Sequence, residues 1–238
     1  MSVKATPKQG YREIAAWLLE RCAELPPGSP IPSELQLAEM FGVHRMTARH
    51  ALETLRAAGK IERRQGAGSF TAQPPMHRDE ALLHSFTEEI RRRGEQPSSI
   101  VIEQRLGILP ERAMLMGLDP RQPLVRIYRV RCADDIPLAL EASYLPGELA
   151  QAVDQDFSRT SLHQWLRDAG YTPAKATGFI SARLASDRES RLLGQEPPTA
   201  LLVEARIIRD RDDRVVESTE TAYLSSRWAI DTSASVDV

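Results

Sequence analysis

Apolar residues recur at helical spacing from Tyr11 to Leu25, with Ile14, Ala15, Trp17, Leu18, Cys22 and Leu25 on one stripe, and the run stops at Pro26-Pro27-Gly28. The pattern resumes at Ser33, an N-cap residue with Gln36 three positions on; Leu35, Leu37, Ala38 and Met40 are its expected apolar contacts. Phe41-Gly42-Val43 interrupts it, glycine tolerating the angles of a tight turn. A second helix is expected from about His44 to Gly59. It turns Met46, Ala48, Ala51, Leu52 and Leu55 inward and leaves Arg45, Thr47, Arg49 and His50 free at its N-terminal end. From Lys60 to Phe70 the helical period gives way to alternation around Gly66 and Gly68, as in a hairpin wing.

Periodicity then disappears. Residues Ala72–Glu80 are polar and proline-bearing, the composition of a linker. A short helix is expected over Ser85–Arg93, ending at Gly94, with Arg91-Arg92-Arg93 as a solvated helix end. The second half repeats itself. Residues 109–141 read helix, Gly117, Pro123, strand Leu124–Val130, turn Asp134-Asp135 and strand Leu138–Tyr144. Residues 185–217 read helix to Leu193, Gly194, Pro197-Pro198, strand Leu201–Ile208, turn Asp212-Asp213 and strand Val215–Ala222. Gly117 and Gly194 are 77 residues apart, as are Arg129 and Arg206, while Glu141 and Glu217 are offset by 76, a one-residue slip. Two copies are too few for a solenoid, so the expectation is a pseudo-symmetric domain with one antiparallel sheet and helices packed on it. Between the copies, Ser161–Ala169 reads as a short helix ending at Gly170.

A helix–turn–helix followed by a basic wing is the arrangement of a DNA-binding head. The first turns of the second helix enter the major groove, wing arginines meet phosphates, and glycines let backbone approach the duplex. The competing reading is a helical hairpin with a solvated charged face. Charge favours the first: residues 1–75 carry ten Lys/Arg against seven Asp/Glu, and the remainder 21 against 26. The two cysteines, Cys22 and Cys132, form no CxxC pair and point to a reducing compartment. No apolar run reaches the length of a membrane span and no signal peptide precedes the first helix, so a cytoplasmic protein is expected.

In the second half the chemistry lies on the first hairpin. Arg129 and Arg131 point to the same strand face, where two guanidiniums converge on one phosphate or carboxylate. Glu141 returns beside them, either to accept hydrogen bonds from a ligand or simply to pair with Arg129 across a sheet surface. For catalysis there is no good residue set. The five histidines are scattered, and there is no metal-ligand spacing, no GxSxG and no glycine-rich phosphate loop with lysine. No catalytic residue, metal or cofactor is expected.

The stretch Pro32-Ser33-Glu34-Leu35, Gly42 to Arg49 and Arg64 to Phe70 closely resembles the winged helix-turn-helix of the GntR family of bacterial transcription regulators. From about Ala81 to Trp228 the chain resembles the UTRA effector domain of the HutC subfamily. The resemblance rests on Leu83 to Glu89, Arg92-Arg93-Gly94, Arg129-Val130-Arg131, Asp135 to Glu141, Tyr144-Leu145-Pro146, Ser161-Leu162-His163, Glu217 and Tyr223. Within the subfamily it is most similar to repressors answering to N-acetylglucosamine-6-phosphate or glucosamine-6-phosphate, the NagR/DasR type. The fold so implied is α+β: a winged helix-turn-helix over 8–73, a linker over 74–80, and a UTRA (chorismate-lyase-like) antiparallel-sheet domain with helices over 81–232 that senses ligand and dimerises.

The implied partners are a palindromic double-stranded DNA operator bound by a homodimer, and a small anionic effector, a sugar phosphate being favoured. A carboxylate, a phosphonate-pathway metabolite, or a chorismate-lyase-like enzyme domain on the same head stand as alternatives. Ser33, Arg45, Thr47, Arg49, Arg64, Gly66 and Gly68 are the DNA-binding candidates. Ser85, Phe86, Arg129, Arg131, Ser161 and His163 fall around the phosphate position, and Glu141, Glu217 and Tyr223 at the sugar position. The competing reading of Ser85 and Ser161 is ordinary helix capping. Three positions depart from the family pattern: Leu35 stands for arginine, His163 for tyrosine, and Ser226 lies near a common aspartate.

Overall fold

The structure, a computed structural model, describes residues 10–64, 66–72, 76–79 and 85–231. Gln65 of the wing, Leu83-His84 of the resemblance, and linker residues 73–75 and 80 lie outside that set. The chain divides into two compact units near residue 75.

The first unit holds three helices, α1 (Tyr11–Glu24), α2 (Glu34–Phe41) and α3 (Arg45–Ala57), and the hairpin β1 (Ile61–Arg64) with β2 (Gly68–Thr71). Its core is Ile14 and Leu18 of α1, Leu37 of α2, and Ala48, Ala51, Leu52 and Leu55 of α3. Helix α2 begins with a reciprocal cap: the Gln36 amide donates to Ser33 Oγ (3.3 Å), and the Ser33 amide donates to Gln36 Oε1 (2.8 Å). It ends at Gly42, whose φ of 63° lies in the left-handed region and turns the chain into α3. Three expected core contacts are instead exposed: Leu35 (59%), Met40 (56%) and Met46 (60%). The core of so small a unit is filled by one residue per turn from α2, so apolar side chains beside that stripe face outward.

The second unit is a six-stranded antiparallel sheet in the order β4-β5-β6-β9-β8-β7. Its strands are β4 (Pro97–Ile108), β5 (Pro123–Ala133), β6 (Ile136–Pro146), β7 (Lys175–Leu184), β8 (Ala200–Arg209) and β9 (Val215–Leu224). A helix precedes each hairpin: α5 (Pro110–Leu115) and α7 (Asp187–Leu192), followed by Gly117 and Gly194 with φ of 72° and 65°. The internal repeat is therefore real and longer than its two hairpins, because β4 and β7 belong to it and occupy the two edges. Strands β6 and β9 meet at the centre. The register corrects the expected equivalence of Glu141 and Glu217. Thr219 stands opposite Arg206 as Glu141 stands opposite Arg129, and Glu217 lies two residues further along the same face. The second hairpin turn, from Arg209 to Val215, is longer than the Asp134-Asp135 turn and absorbs the difference.

One sheet face packs Val130, Cys132, Leu140, Leu201, Val203, Ala222 and Leu224 against Leu193. The other carries Val125, Ile127 and Leu145 under Leu149, Phe157, Leu162 and Leu166, and beyond them a polar patch under α4 (Phe86–Arg92) and α6 (Leu162–Asp168). The expected linker also contains structure. Met76–Asp79 forms β3, paired in parallel with β10 (Trp228–Asp231). Backbone pairing needs no side-chain period, so this ribbon left no signal in the hydrophobic pattern. Among the described residues no helix is long and apolar enough to cross a membrane.

Gly42→Ala should cost the first unit about 1 kcal/mol, because a Cβ there meets no neighbour but the left-handed backbone disfavours it. Thermal unfolding of the full chain, following Trp17 fluorescence in a variant lacking the other tryptophans, would show the loss.

Candidate functional site

In the first unit the DNA-binding candidates lie on exposed ground. His44 caps α3, its Nδ1 accepting the Met46 amide at 3.3 Å, which brings Arg45, Thr47 and Arg49 into the first turns. Arg45 and Arg49 are exposed and Thr47 is half-buried. Arg49 Nε donates to Glu53 one turn along (3.0 Å). On the wing, the Arg64 guanidinium lies 4.6 Å from the Phe70 ring centre and pairs with Glu62 at 2.6 Å. Gly66 and Gly68 turn the hairpin with φ of 74° and 107°, and no atom lies within 4 Å of where a Cβ would stand. Ser33 is occupied as the α2 cap.

Sequence reading missed Glu34. Its carboxylate accepts from Arg45 Nε (2.9 Å) and lies 3.7 Å from Arg63 Nη1, tying the recognition helix to the wing. Position 34 is the first residue of α2, where an acidic side chain needs no further reason than the helix N-terminus, so the pattern held no separate signal. Leu35 presents an exposed apolar side chain where the family pattern has a cation.

In the second unit one small, partly open cavity gathers eight of the nine ligand candidates: Ser85, Phe86, Arg129, Arg131, Glu141, Ser161, His163 and Glu217. Tyr223 is not among its lining residues; it is buried, its ring stacked 4.2 Å from that of Trp228. Ser226 lies in the turn before β10, also off the lining. Sequence reading missed Thr87, Arg206 and Thr219 as lining residues, although the repeat had already matched Arg206 to Arg129.

The floor is electrostatic. Arg129 and Arg131 both donate to Glu141 Oε1, the latter from Nη1 at 2.7 Å, and Arg131 Nη2 also donates to Thr87 Oγ1 at 3.3 Å. These pairs are not surface pairs: Arg129 is 1% exposed and Glu141 8%. Burial, and the neighbouring Arg131, push the Arg129 guanidinium down to about 10. Burial alone would raise Glu141, but the two guanidiniums override it and hold the carboxyl at about 2. The Phe86 ring lies 4.4 Å from the Arg131 guanidinium, a partner for a charge removed from water. Arg129 Nε and Nη1 and Arg131 Nε are buried with no partner among the described residues. One carboxylate thus faces two cations, with N–H groups left over, and a charge-assisted anion is the ligand that answers both deficits.

Around this floor stand the helix starts. Ser85 caps α4, its Oγ accepting the Glu88 amide (3.2 Å) and donating to Glu88 Oε2 (2.9 Å). Ser161 caps α6 more loosely, at 3.4 Å from the Gln164 amide. Capping is therefore the observed role of both serines, and both still line the cavity. His163 Nε2 lies 3.0 Å from Glu217 Oε2, both buried. Burial raises the Glu217 carboxyl, but the hydrogen bond and charge of His163 bring it below its ordinary value. No cluster of three metal-ligating His, Cys, Asp or Glu exists among the described residues.

The model of the bacterial regulatory proteins of the gntR family matches residues 8–71, and that of the UTRA domain residues 92–229. The HTH-type transcriptional repressor NagR of Bacillus subtilis (strain 168) is 32% identical over 229 residues, 94% of this chain and 94% of that protein. The HTH-type transcriptional repressor PhnF of Mycolicibacterium smegmatis is 28% identical over 230 residues, 95% of this chain and 93% of that one. The crystal structure of PhnF from Mycobacterium smegmatis is similar at a TM-score of 0.65 and 26% identity, covering 94% of this chain and 100% of that one.

Glu141 contributes stability with a defined pH window. Its folded-state value of about 2 lies below the ordinary 4.5, so its ion pairs act fully above about pH 4.5 and fade as pH falls towards 2. Glu141→Gln should cost about 3 kcal/mol at pH 7 by stranding buried cations, and should flatten the stability loss through that window. Denaturant unfolding as a function of pH measures both.

Proposed function

As a member of the gntR family of bacterial regulatory proteins that carries a UTRA domain, this chain is a ligand-responsive transcription regulator and not an enzyme; we propose that it is a repressor, binding a palindromic operator as a homodimer and answering to a phosphorylated sugar. The observation that carries the effector reading is the buried Arg129–Arg131 pair sharing a single carboxylate. Two guanidinium forks with free N–H groups suit a phosphate oxygen set. The likeness to amino-sugar-phosphate repressors supports the same class. Arg45, Thr47 and Arg49 read base edges and adjacent phosphates in this proposal, while Arg64, Gly66 and Gly68 belong to the wing and Ser33 holds the α2 start against the backbone.

Support for a homodimer comes from β7. It is an edge strand exposed on both faces, carrying Phe179 (66% exposed), Ile180 (40%) and Leu184 (65%). A long apolar edge is a template for strand pairing, and a second copy of the same edge covers it with two-fold symmetry. That symmetry is what a palindromic operator requires.

The segment 74–80 is the proposed lever between sensor and head. Arg131 lies over Phe86, the Phe86 ring runs parallel to Trp228 at 6.4 Å, and Trp228 is paired with Met76 in the β3–β10 ribbon. An anion that redraws the Arg131 contacts thus acts on a continuous packed path ending at the strand next to the head in the chain. Tenfold weaker DNA binding needs about 1.4 kcal/mol of coupling.

Three outcomes are expected. Arg49→Ala should weaken binding to an operator selected from random duplexes by about tenfold or more without changing thermal stability; unchanged affinity in a mobility-shift titration removes Arg49 from the interface. Arg129→Ala should bind that operator normally yet no longer release it with glucosamine-6-phosphate or any other sugar phosphate. Phe179→Glu with Leu184→Glu should sediment as a monomer, and a dimeric double variant would place the contact elsewhere.

A further inference from the structure

The positive charge of the cavity does not end at Arg129 and Arg131. Arg206, the counterpart of Arg129 in the repeat, lines the cavity from β8 in the other half of the sheet. Its side chain is 13% exposed, and among the described residues it makes an ion pair with Glu204, two residues along, at 3.4 Å. Its Nε is buried with no partner among the described residues. Directly across the hairpin is Thr219, 3% exposed, and beyond Thr219 is Ser143, 0% exposed. The Thr219 hydroxyl is likewise buried with no partner among the described residues, while the Ser143 hydroxyl is turned to the Glu217 carboxylate. A guanidinium and a hydroxyl with unused hydrogen-bonding capacity therefore face each other across the β8–β9 hairpin at the end of the cavity away from Arg131.

The carboxylates of the cavity are already engaged. Glu141 is held by two guanidiniums and Glu217 by His163. A ligand amine has to compete with a buried cation for the first and displace an imidazole from the second. With Glu204 beside Arg206, three guanidiniums meet three carboxylates, and what both ends of the cavity offer a ligand is unused N–H and O–H groups. Arg129 and Arg206 sit on strands three spacings apart, roughly 14 Å between backbones. Two long side chains reaching inward reduce that gap to about the length of a six-carbon skeleton.

We propose that the ligand of this cavity carries two anionic groups, one held by Arg129 and Arg131 and the second by Arg206 with Thr219. This rests on the phosphorylated-sugar reading above and narrows it to a phosphorylated sugar acid, whose carboxylate takes the Arg206 end, in place of an amino sugar. Arg206 is then the specificity-determining residue, because it meets the group by which the effector differs from neutral and amino sugar phosphates.

The test uses three probes on the full-length chain by isothermal titration calorimetry: 6-phosphogluconate, glucitol-6-phosphate, which has a hydroxymethyl group in place of the carboxylate, and glucosamine-6-phosphate. Binding is expected in that order, with about tenfold between the first two. Arg206→Gln should erase the difference between the first two probes without weakening glucitol-6-phosphate binding; Thr219→Val should reduce it. A guanidinium that only balances Glu204 would, when replaced, shift all three probes together, and that result overturns the proposal. Equal binding of 6-phosphogluconate and glucitol-6-phosphate, or tightest binding of glucosamine-6-phosphate, overturns it while the phosphate reading survives. Binding of none of the three overturns both.

Discussion

Two arginine side chains buried on one carboxylate set the terms for the sensing unit. Arg129 is nearly sealed from water, and burial of a cation without full compensation is among the costliest arrangements a fold can hold. The sheet tolerates it because Glu141 stands directly opposite in register, Phe86 and Phe157 present ring faces at 4.4 and 5.6 Å to the two guanidiniums, and Thr87 accepts one more hydrogen bond. The compensation remains incomplete, since N–H groups of both arginines find no partner among the described residues. The proposed anion would take up those N–H groups, which is why its binding would be coupled to the elements that line the cavity.

Those elements were placed by local chemistry of unequal visibility. The hairpins β5–β6 and β8–β9 were legible because strand alternation, paired turn aspartates and a repeat spacing of 77 all agreed. Edge strands β4 and β7 were not. Both faces of β4 are half-exposed and both faces of β7 almost wholly so, hence neither sequence separates into a polar and an apolar set. The ribbon of β3 with β10 escaped for a different reason, since four residues joined by backbone hydrogen bonds need no particular side chains.

The site shows the same division. Arg129 and Arg131 could be assigned to one face from strand geometry alone, and residue type made them anion ligands. What spacing could not decide was depth: whether Glu141 closed a weak surface pair or a buried one, which changes an incidental contact into the electrostatic centre of the unit. In the head, periodicity located all three helices but overstated the core, leaving Leu35, Met40 and Met46 exposed. Glu34 was invisible because its role depends on Arg45 and Arg63 meeting in space across two turns of chain.

The duplicated architecture also explains why the cavity has a direction. A strict two-fold repeat would place identical groups at both ends and suit a symmetric ligand. Here the end built on β5 and β6 has two arginines opposed by one glutamate, whereas the end built on β8 and β9 has one arginine opposite a threonine. Helix α4 closes only the first end, through Phe86 and Thr87, and Phe86 is the ring that runs parallel to Trp228 at the start of β10. Divergence between the copies thus does two things at once. It would give the proposed ligand a single orientation, and it places two of the three arginines at the end packed against the β3–β10 ribbon. A symmetric sheet would bind without favouring either side; in the proposed lever, the asymmetry is what would let occupancy act on one strand of the ribbon.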